Sequence, residues 1–233
     1  MNAGEPVLVV YPNGIGAEWN DGRGQTFTRD GDLTADDVGF LSALIDHLIE
    51  YEGANPQRIY LTGASNGAMM THRAGCELAH KIAAIAPVIA PMPANIAPGC
   101  DPARPLPVLM ILGEEDPWVP FRGGTVEPLG RPSGQVISAD QTMAVWADAN
   151  GCAPRPGVRH DSRRPARDGT RIRRETYQRC AAETVMIAVE GGGHTWPGSD
   201  RGAGRAAQRL VGVNTSQLDA THEIWAFFSD KRR

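Results

Sequence analysis

Residues 63–67 read Gly-Ala-Ser-Asn-Gly, and this stretch decides the fold that the sequence predicts. It follows residues 58–62, whose β-branched and aromatic side chains predict a strand, and it precedes a predicted helix start at 68–73. A Gly-x-Ser-x-Gly turn between a strand and a helix strains its serine and holds the hydroxyl above the sheet edge. We therefore predict that Ser65 is a nucleophile. The alternative is a glycine-rich turn whose serine has no catalytic role.

A serine hydroxyl needs a base to become nucleophilic at neutral pH, and the base needs an acid to orient it. The continuous apolar run 106–112 is typical of a parallel strand buried on both faces, and Gly-Glu-Glu-Asp follows it at 113–116. Open sheets bind ligands beyond the carboxyl ends of such strands, so we predict that Asp116 is the acid. Glu114 and Glu115 are rival candidates, and a solvated acidic turn is the structural alternative.

The predicted base is His194, which follows a strand at 185–189 and three glycines at 191–193. A glycine loop bends freely, which lets an imidazole reach across to the serine. Serine, acid and histidine then occur in the order found around such an elbow. A surface histidine is the alternative. None of the other histidines follows a strand end downstream of the acid; they are His47, His72, His80, His160 and His222.

Length and composition favour one enzyme-sized domain. The chain has 233 residues, of which 41 % are hydrophobic, and we place residues 1–233 in a single domain. The net charge of −4 argues against a nucleic-acid partner, and no apolar run is long enough for a membrane span. No phosphate-binding motif and no paired His/Cys metal spacing occurs. The arginine-rich stretch 155–174, which includes Arg163, is interpreted as a solvated loop and edge hairpin because it lacks interleaved aromatic residues.

Strand and helix patterns alternate along the chain, which predicts an α/β fold with a mostly parallel sheet. Residues 35–51 have an amphipathic pattern, and Thr34 is a plausible N-cap for that helix. The predicted strands cover 6–11, 58–62, 82–89, 107–112 and a pair within 170–190, and the predicted helices cover 35–51, 66–79, 139–149 and 216–228.

Four cysteines permit three disulfide pairings, among which sequence does not decide. We favour Cys76–Cys100 and Cys152–Cys180 because each bond closes a local loop, and an even number of cysteines fits an oxidising compartment. Free buried thiols in a cytosolic protein are the alternative. Met1 is followed by polar residues rather than by a basic and then apolar segment, so we expect no signal peptide in this chain.

Six segments spread over most of the chain resemble the polyhydroxybutyrate depolymerase and feruloyl esterase group of secreted α/β-hydrolases. The segments are Tyr-Pro-Asn-Gly at 11–14, Trp-Asn-Asp-Gly-Arg at 19–23, residues 36–41, residues 63–70, residues 113–116 with 119–120 and Gly-His-Thr-Trp-Pro-Gly at 193–198. The resemblance implies an α/β-hydrolase fold and a Ser65, Asp116 and His194 triad. It also implies hydrolysis of polyhydroxyalkanoate, feruloyl-polysaccharide or similar esters through an acyl-enzyme. Secretion and independence from metals and organic cofactors are implied as well.

One departure from this group concerns the oxyanion hole. Its members carry an earlier strand that ends in a His-Gly loop, whereas the first histidine here is His47. The N–H of Asn66 supplies one donor, and the second has no obvious source; loss of one donor typically costs about 10²–10³ in rate. We expect an N-terminally shortened chain; alternatively, residues 7–11 replace the missing strand and residues 13–16 form the oxyanion loop. A non-catalytic protein of the same fold is the competing functional interpretation.

Three tryptophans are candidate substrate contacts, because each lies on a loop predicted at the carboxyl edge of the sheet. Trp118 is two residues from the proposed acid, Trp196 is two residues from the proposed base, and Trp19 lies in the early glycine-rich loop. Aromatic rings beside a triad form an apolar wall for an acyl or aryl group. The alternative is that the rings only pack the bases of their loops.

Overall fold

A computed structural model describes residues 6–162, 164–199 and 204–233; residues 1–5, including Met1, and Arg163 of the arginine-rich stretch lie outside the described residues. The strands are β1 (Tyr60–Ala64), β2 (Ala84–Val88), β3 (Val108–Gly113), β4 (Gly124–Thr125), β5 (Gln135–Val136), β6 (Gly157–His160), β7 (Arg171–Thr176) and β8 (Thr184–Glu190). The helices are α1 (Asp37–Tyr51), α2 (Asn66–Leu78), α3 (Ala139–Ala149), α4 (Arg205–Val211) and α5 (Ala220–Phe228).

Six of these strands form one sheet in the order β1-β2-β3-β8-β7-β6. The first four run parallel to one another, and β7 and β6 complete the sheet as an antiparallel hairpin at its edge. The short strands β4 and β5 pair with each other outside this sheet. The mostly parallel sheet with flanking helices confirms the predicted α/β-hydrolase fold class, and the edge hairpin predicted from the arginine-rich stretch is present.

Apolar side chains cover both faces of the sheet centre. On one face α5 packs against β3, where Phe228 and Ile111 belong to one buried cluster. On the opposite face α1, α2 and α3 pack together, and the fully buried Trp146 of α3 lies in the same cluster as Val108. Strands buried on both sides need apolar residues at every position, which explains the continuous runs in β2, β3 and β8. No helix in the described ranges combines the length and apolarity needed to cross a membrane.

The predicted strand at 6–11 is wrong. These residues are irregular, and all six are exposed, with Val9 at 62 % and Tyr11 at 85 % of full exposure. A β-branched run becomes a strand only where a neighbouring strand accepts and donates its backbone hydrogen bonds, and β1 pairs with β2 alone within the described sheet. Residues 7–11 therefore do not take the sheet position that the alternative oxyanion model assigned to them.

The starts of two helices differ from the sequence prediction, and one helix was not predicted. Helix α1 begins at Asp37 because the Asp36 carboxylate, rather than the Thr34 hydroxyl, accepts a hydrogen bond from the first turn, from the N–H of Gly39 at 2.9 Å. The last helix begins at Ala220 instead of residue 216, since Asp219 caps it in the same way. Helix α4 was not predicted, because no apolar periodicity marks its seven residues.

Both favoured disulfides are formed. Cys76 of α2 is bonded to Cys100, with Cα atoms 5.0 Å apart, and Cys152 is bonded to Cys180, with Cα atoms 4.0 Å apart. The second bond connects the segment after α3 to the turn between β7 and β8. Hydrogen bonds between the same two segments, such as the one from the Ala181 N–H to the Asn150 carbonyl at 2.8 Å, reinforce it.

We predict that mass spectrometry of the purified, unreduced protein finds the Cys152 and Cys180 peptides linked. Replacing both cysteines with serine should lower the free energy of unfolding by about 2–4 kcal/mol, because a loop of this length gains conformational freedom in the unfolded chain. The matched control is the double serine variant at Cys76 and Cys100, whose loop is of similar length. Free thiols at 152 and 180 in protein purified from an oxidising compartment would contradict the pairing.

Candidate active site

Ser65 occupies a strained turn between β1 and α2. Its φ of 57° and ψ of −117° lie where non-glycine residues are rarely found, and such a conformation costs of order 1–3 kcal/mol. Hydrogen bonds hold the turn on both sides: the Ser65 N–H donates to the Val88 carbonyl at 3.0 Å, and the Ser65 carbonyl accepts from Met69 at 3.0 Å. The side chain is half-buried and lines a cavity. The predicted strand–turn–helix context of the serine is therefore present.

Close contact between two glycines makes this turn possible. A Cβ on Gly63 would lie 2.5 Å from the backbone carbon and oxygen of Gly67, so the last residues of β1 touch the first turn of α2. A Cβ on Gly67 would meet no atom within 4 Å. The two glycines of the motif thus have different roles, since only Gly63 is required for the approach of strand and helix.

Asp116 and His194 are joined in the structure, although 78 residues separate them in sequence. The Nδ1 of His194 lies 2.6 Å from Oδ2 of Asp116, and both side chains are almost fully buried. The other carboxylate oxygen accepts hydrogen bonds from the N–H groups of Trp118 at 2.8 Å and Val119 at 2.9 Å. A carboxylate fixed in this way favours the imidazole tautomer with a proton on Nδ1, which leaves Nε2 as the basic nitrogen.

The rival acids have other positions. Glu114 forms an ion pair with Arg173 of β7, and Glu115 is exposed. Among the buried histidines, His72 accepts a hydrogen bond from the Trp146 indole at 3.1 Å, and burial lowers its pKa to about 3. His72 is therefore a neutral core residue. Of the three acids after β3, Asp116 is the one that contacts a histidine in the described structure.

Ser65 is not hydrogen-bonded to this pair in the described structure. Within the described ranges, neither the Ser65 hydroxyl nor His194 Nε2 makes a hydrogen bond. Trp118 connects the two parts of the site, because its ring lies 5.0 Å from the imidazole ring while the same residue lines the cavity with Ser65. Catalytic hydrogen bonds are often long before substrate binds, so this geometry leaves the predicted triad contact as a prediction.

The N–H of Asn66 is the first backbone donor of α2, and the described chain provides no acceptor for it. It is thus available to a bound oxyanion, and its role as a donor stays a prediction. Ala17 and Glu18 also line the cavity, next to the alternative oxyanion loop at 13–16. However, their N–H groups donate to the carbonyls of Gly14 and Ile15, so neither is available in this conformation.

The cavity beside Ser65 has a volume of about 140 Å³. Of the three predicted tryptophans, Trp118 lines it. Trp19 stacks on Phe40 of α1, and Trp196 packs against the cluster that contains α5, with its indole N–H donating to Thr221. The described residues that line the cavity are Ala17, Glu18, Arg23, Phe27, Thr28, Ser65, Asn66, Trp118, Val119, Val126 and Pro128.

A buried cluster of charges next to the cavity was missed by the sequence analysis. Glu18, Asp21 and Arg23 are 5 %, 2 % and 6 % exposed, and the Arg23 guanidinium lies 2.8 Å from Asp21 and 3.2 Å from Glu18. Burial raises the pKa of Asp21 above its usual value, against the opposing effect of Arg23. Charged side chains in a glycine-rich segment usually indicate a solvated loop, so composition did not mark them. The Trp-Asn-Asp-Gly-Arg motif was the available signal.

Comparison with known proteins identifies the family. The model of the phospholipase/carboxylesterase family matches residues 2–127, more than half of the chain. The chain belongs to this family.

Within the described ranges, no group of three or more His, Cys, Asp or Glu side chains is arranged to hold a metal ion.

Relatives of this chain carry esterase names. NocK of Nocardia uniformis subsp. tsuyamanensis is 34 % identical over 226 residues, which are 91 % of this chain and 62 % of NocK. Feruloyl esterase B of Piromyces equi is 32 % identical over 196 residues, which are 80 % of this chain and 33 % of that protein. The chain thus spans less than two thirds of either relative.

A solved structure shows the same fold. The acetyl xylan esterase from Aspergillus awamori superimposes with a TM-score of 0.52 over 93 % of this chain and 73 % of that chain. The sequences are 12 % identical, so this likeness concerns the fold alone.

The contact between Gly63 and Gly67 yields a prediction. Gly63→Ala should lower the free energy of unfolding by at least about 1 kcal/mol, which is about 2–4 °C in Tm for a chain of this size, because the new methyl group overlaps the α2 backbone. Gly67→Ala is the matched control and should leave Tm unchanged or slightly higher, since its methyl group meets open space. Equal Tm values for the two variants in a thermal melt would contradict the close approach.

Proposed function

We propose that this protein is a serine carboxylic ester hydrolase in which Ser65 is the nucleophile, His194 the base and Asp116 the acid that orients it. The observation that carries the proposal is the Asp116–His194 hydrogen bond of 2.6 Å, because it orients an imidazole whose ring lies 5.0 Å from that of Trp118, which lines the cavity together with the strained Ser65. Membership of the phospholipase/carboxylesterase family and the esterase names of the relatives support it.

In the proposed reaction, Nε2 of His194 takes the proton of the Ser65 hydroxyl as Oγ attacks the ester carbonyl carbon. The N–H of Asn66 donates to the resulting oxyanion, and the amino-terminal end of α2 adds favourable partial charge. His194 then protonates the departing alcohol, which leaves an acyl group on Ser65. Water, deprotonated by the same imidazole, attacks this acyl-enzyme and releases the carboxylic acid and the free serine.

The cavity suggests what acyl group enters. Its lining contains the rings of Phe27 and Trp118 with Val119, Val126 and Pro128, and its volume is close to that of a cavity that holds one benzene molecule, roughly 150 Å³. A short hydroxyacyl unit of a polyester or one aromatic ring of a feruloyl group fits this space, in line with the resemblance. Two disulfides support the further proposal that the protein acts outside the cytosol.

The triad is tested with a fluorophosphonate probe and p-nitrophenyl esters. The protein should be labelled at Ser65 and should hydrolyse the esters, and both signals should be lost in Ser65→Ala and His194→Ala. Asp116→Asn should reduce hydrolysis by about 10⁴-fold, because the amide presents the wrong hydrogen-bonding partner to Nδ1.

Glu114→Gln is the matched control, since it removes a neighbouring carboxylate that does not contact His194. Labelling that persists in Ser65→Ala would refute the proposed nucleophile. A folded protein that is neither labelled nor hydrolytic would favour the competing interpretation of a non-catalytic member of the fold.

Trp118 is the proposed aromatic wall of the acyl site. Trp118→Ala should raise KM for p-nitrophenyl butyrate more than for p-nitrophenyl acetate, because only the longer acyl chain reaches the ring. Trp196→Ala is the comparison variant, since Trp196 packs against the core cluster instead of lining the cavity. If Trp118→Ala raises KM for both esters by the same factor and lowers Tm strongly, the ring has a structural role only.

A further inference from the structure

Asp21 connects the turn that carries Ser65 between β1 and α2, called the nucleophile turn below, to the wall of the cavity. Its Oδ2 accepts a hydrogen bond from the Asn66 side chain at 2.6 Å and from Arg23 Nε at 2.8 Å. Its Oδ1 accepts from the backbone N–H of Arg23 at 2.9 Å. One carboxylate, 2 % exposed, thus contacts the residue directly after the nucleophile and an arginine that lines the cavity.

The Asn66 side chain fixes the same loop through both ends of its amide. Its Oδ1 accepts from the Trp19 N–H at 2.7 Å, and its Nδ2 donates to the Trp19 carbonyl at 3.0 Å. These hydrogen bonds therefore hold residues 19–23 directly against the nucleophile turn.

Arg23 extends the connection to a second loop. Its Nη1 donates to the carbonyl of Ser133 at 2.9 Å and to the hydroxyl of the same residue at 3.1 Å. Ser133 in turn donates its N–H to the carbonyl of Val126, which lines the cavity. Two separate segments of the cavity wall, around residues 17–28 and 126–128, are thus linked to the nucleophile turn through Asp21 and Arg23.

These charges are satisfied by one another and by the protein. The Glu18 carboxylate accepts hydrogen bonds from the N–H groups of Phe27 and Thr28 and from the Thr28 hydroxyl, besides its ion pair with Arg23. Arg23 faces two carboxylates, so the cluster carries no surplus positive charge for an anionic substrate. Its role is consistent with support of the apolar rings rather than with ligand binding.

We propose that Asp21 is a positioning residue that sets the size of the acyl cavity, and thereby the selectivity for the acyl group, by connecting both wall loops to the nucleophile turn through Asn66 and Arg23. This inference rests on the proposed ester hydrolysis. Within the described chain, Asp116 and His194 make no hydrogen bond to this network, so loss of Asp21 changes the cavity and leaves the acid–base pair in place.

The test compares Asp21→Asn with Asp37→Asn. Asp37 is also buried and also holds the loop, because it accepts the Asn20 N–H at 2.6 Å, but it connects the loop to α1 instead of the nucleophile turn. Asp21→Asn should raise KM for p-nitrophenyl butyrate by about tenfold and KM for p-nitrophenyl acetate by less than about threefold. The reason is that the substitution breaks the buried charge pair with Arg23, which is costly, and so loosens the cavity wall. The change in kcat should be smaller than the change in KM. Asp37→Asn should leave the ratio of the two KM values unchanged.

Hydrogen exchange provides a readout that does not depend on activity. The N–H groups of Phe27 and Thr28 should exchange at least about tenfold faster in Asp21→Asn than in Asp37→Asn, because their acceptor, Glu18, is held by Arg23. If the unmodified protein cleaves no ester and takes no fluorophosphonate label, the proposed function fails, and hydrogen exchange alone then tests the link.

Ser133→Ala, which removes one acceptor of Arg23, is the second variant and is used if Asp21→Asn does not fold. It should shift the exchange rates and the KM ratio in the same direction as Asp21→Asn, by a smaller amount.

The inference would be overturned if Asp21→Asn raised KM for both esters by the same factor. It would also be overturned if the Phe27 and Thr28 N–H groups exchanged at the same rates in the Asp21 and Asp37 variants.

Discussion

The contact of the Gly63 and Gly67 backbones is the constraint on which the rest of the site depends. It brings the end of β1 against the start of α2, so that Ser65 must turn sharply between them and present its hydroxyl to the cavity. The same turn makes Asn66 the first residue of α2. Its N–H is left without an intrahelical acceptor, and its side chain reaches the loop at 19–21. One steric condition thus positions Ser65, the N–H of Asn66 and a wall of the cavity.

Asp116 and His194 meet because the strands that precede them are neighbours. β3 and β8 pair in parallel, with Gly113 opposite Val189, so the loops that leave their carboxyl ends emerge side by side. Asp116 lies three residues beyond the end of β3 and His194 four residues beyond the end of β8. The central residues of the strands beneath them are apolar and buried, which gives the loops a rigid base. Backbone donors at Trp118 and Val119 then fix the carboxylate.

Rigid support is uneven around the site. The serine is carried by β1, whose outer edge has no neighbour in the described sheet, and residues 7–11 lie exposed instead of pairing there. Buried polar interactions supply the support on that side, through Asn66, Asp21 and Arg23. An apolar core cannot position a loop at an open edge, whereas directional hydrogen bonds between buried groups fix distance and angle. Because of this division, the Asp116–His194 pair lies over the sheet centre, whereas buried charges hold the cavity wall next to Ser65.

Local sequence determined the strand–turn–helix at Ser65, the order of Ser65, Asp116 and His194 along the chain and the α/β class, because each depends on residues close together in the chain or on a regular period. For the cysteines it favoured the two local pairs without deciding among the three possible pairings. Tertiary structure decided the remainder. Residues 6–11 have a strand pattern but no described partner to complete their hydrogen bonds, and Trp19 and Trp196 pack against the core instead of lining the cavity. The links of Asn66 to Asp21 and of Arg23 to Ser133 join residues 45 and 110 positions apart. Such contacts follow from how the loops fold over the sheet edge, and no local pattern encodes them.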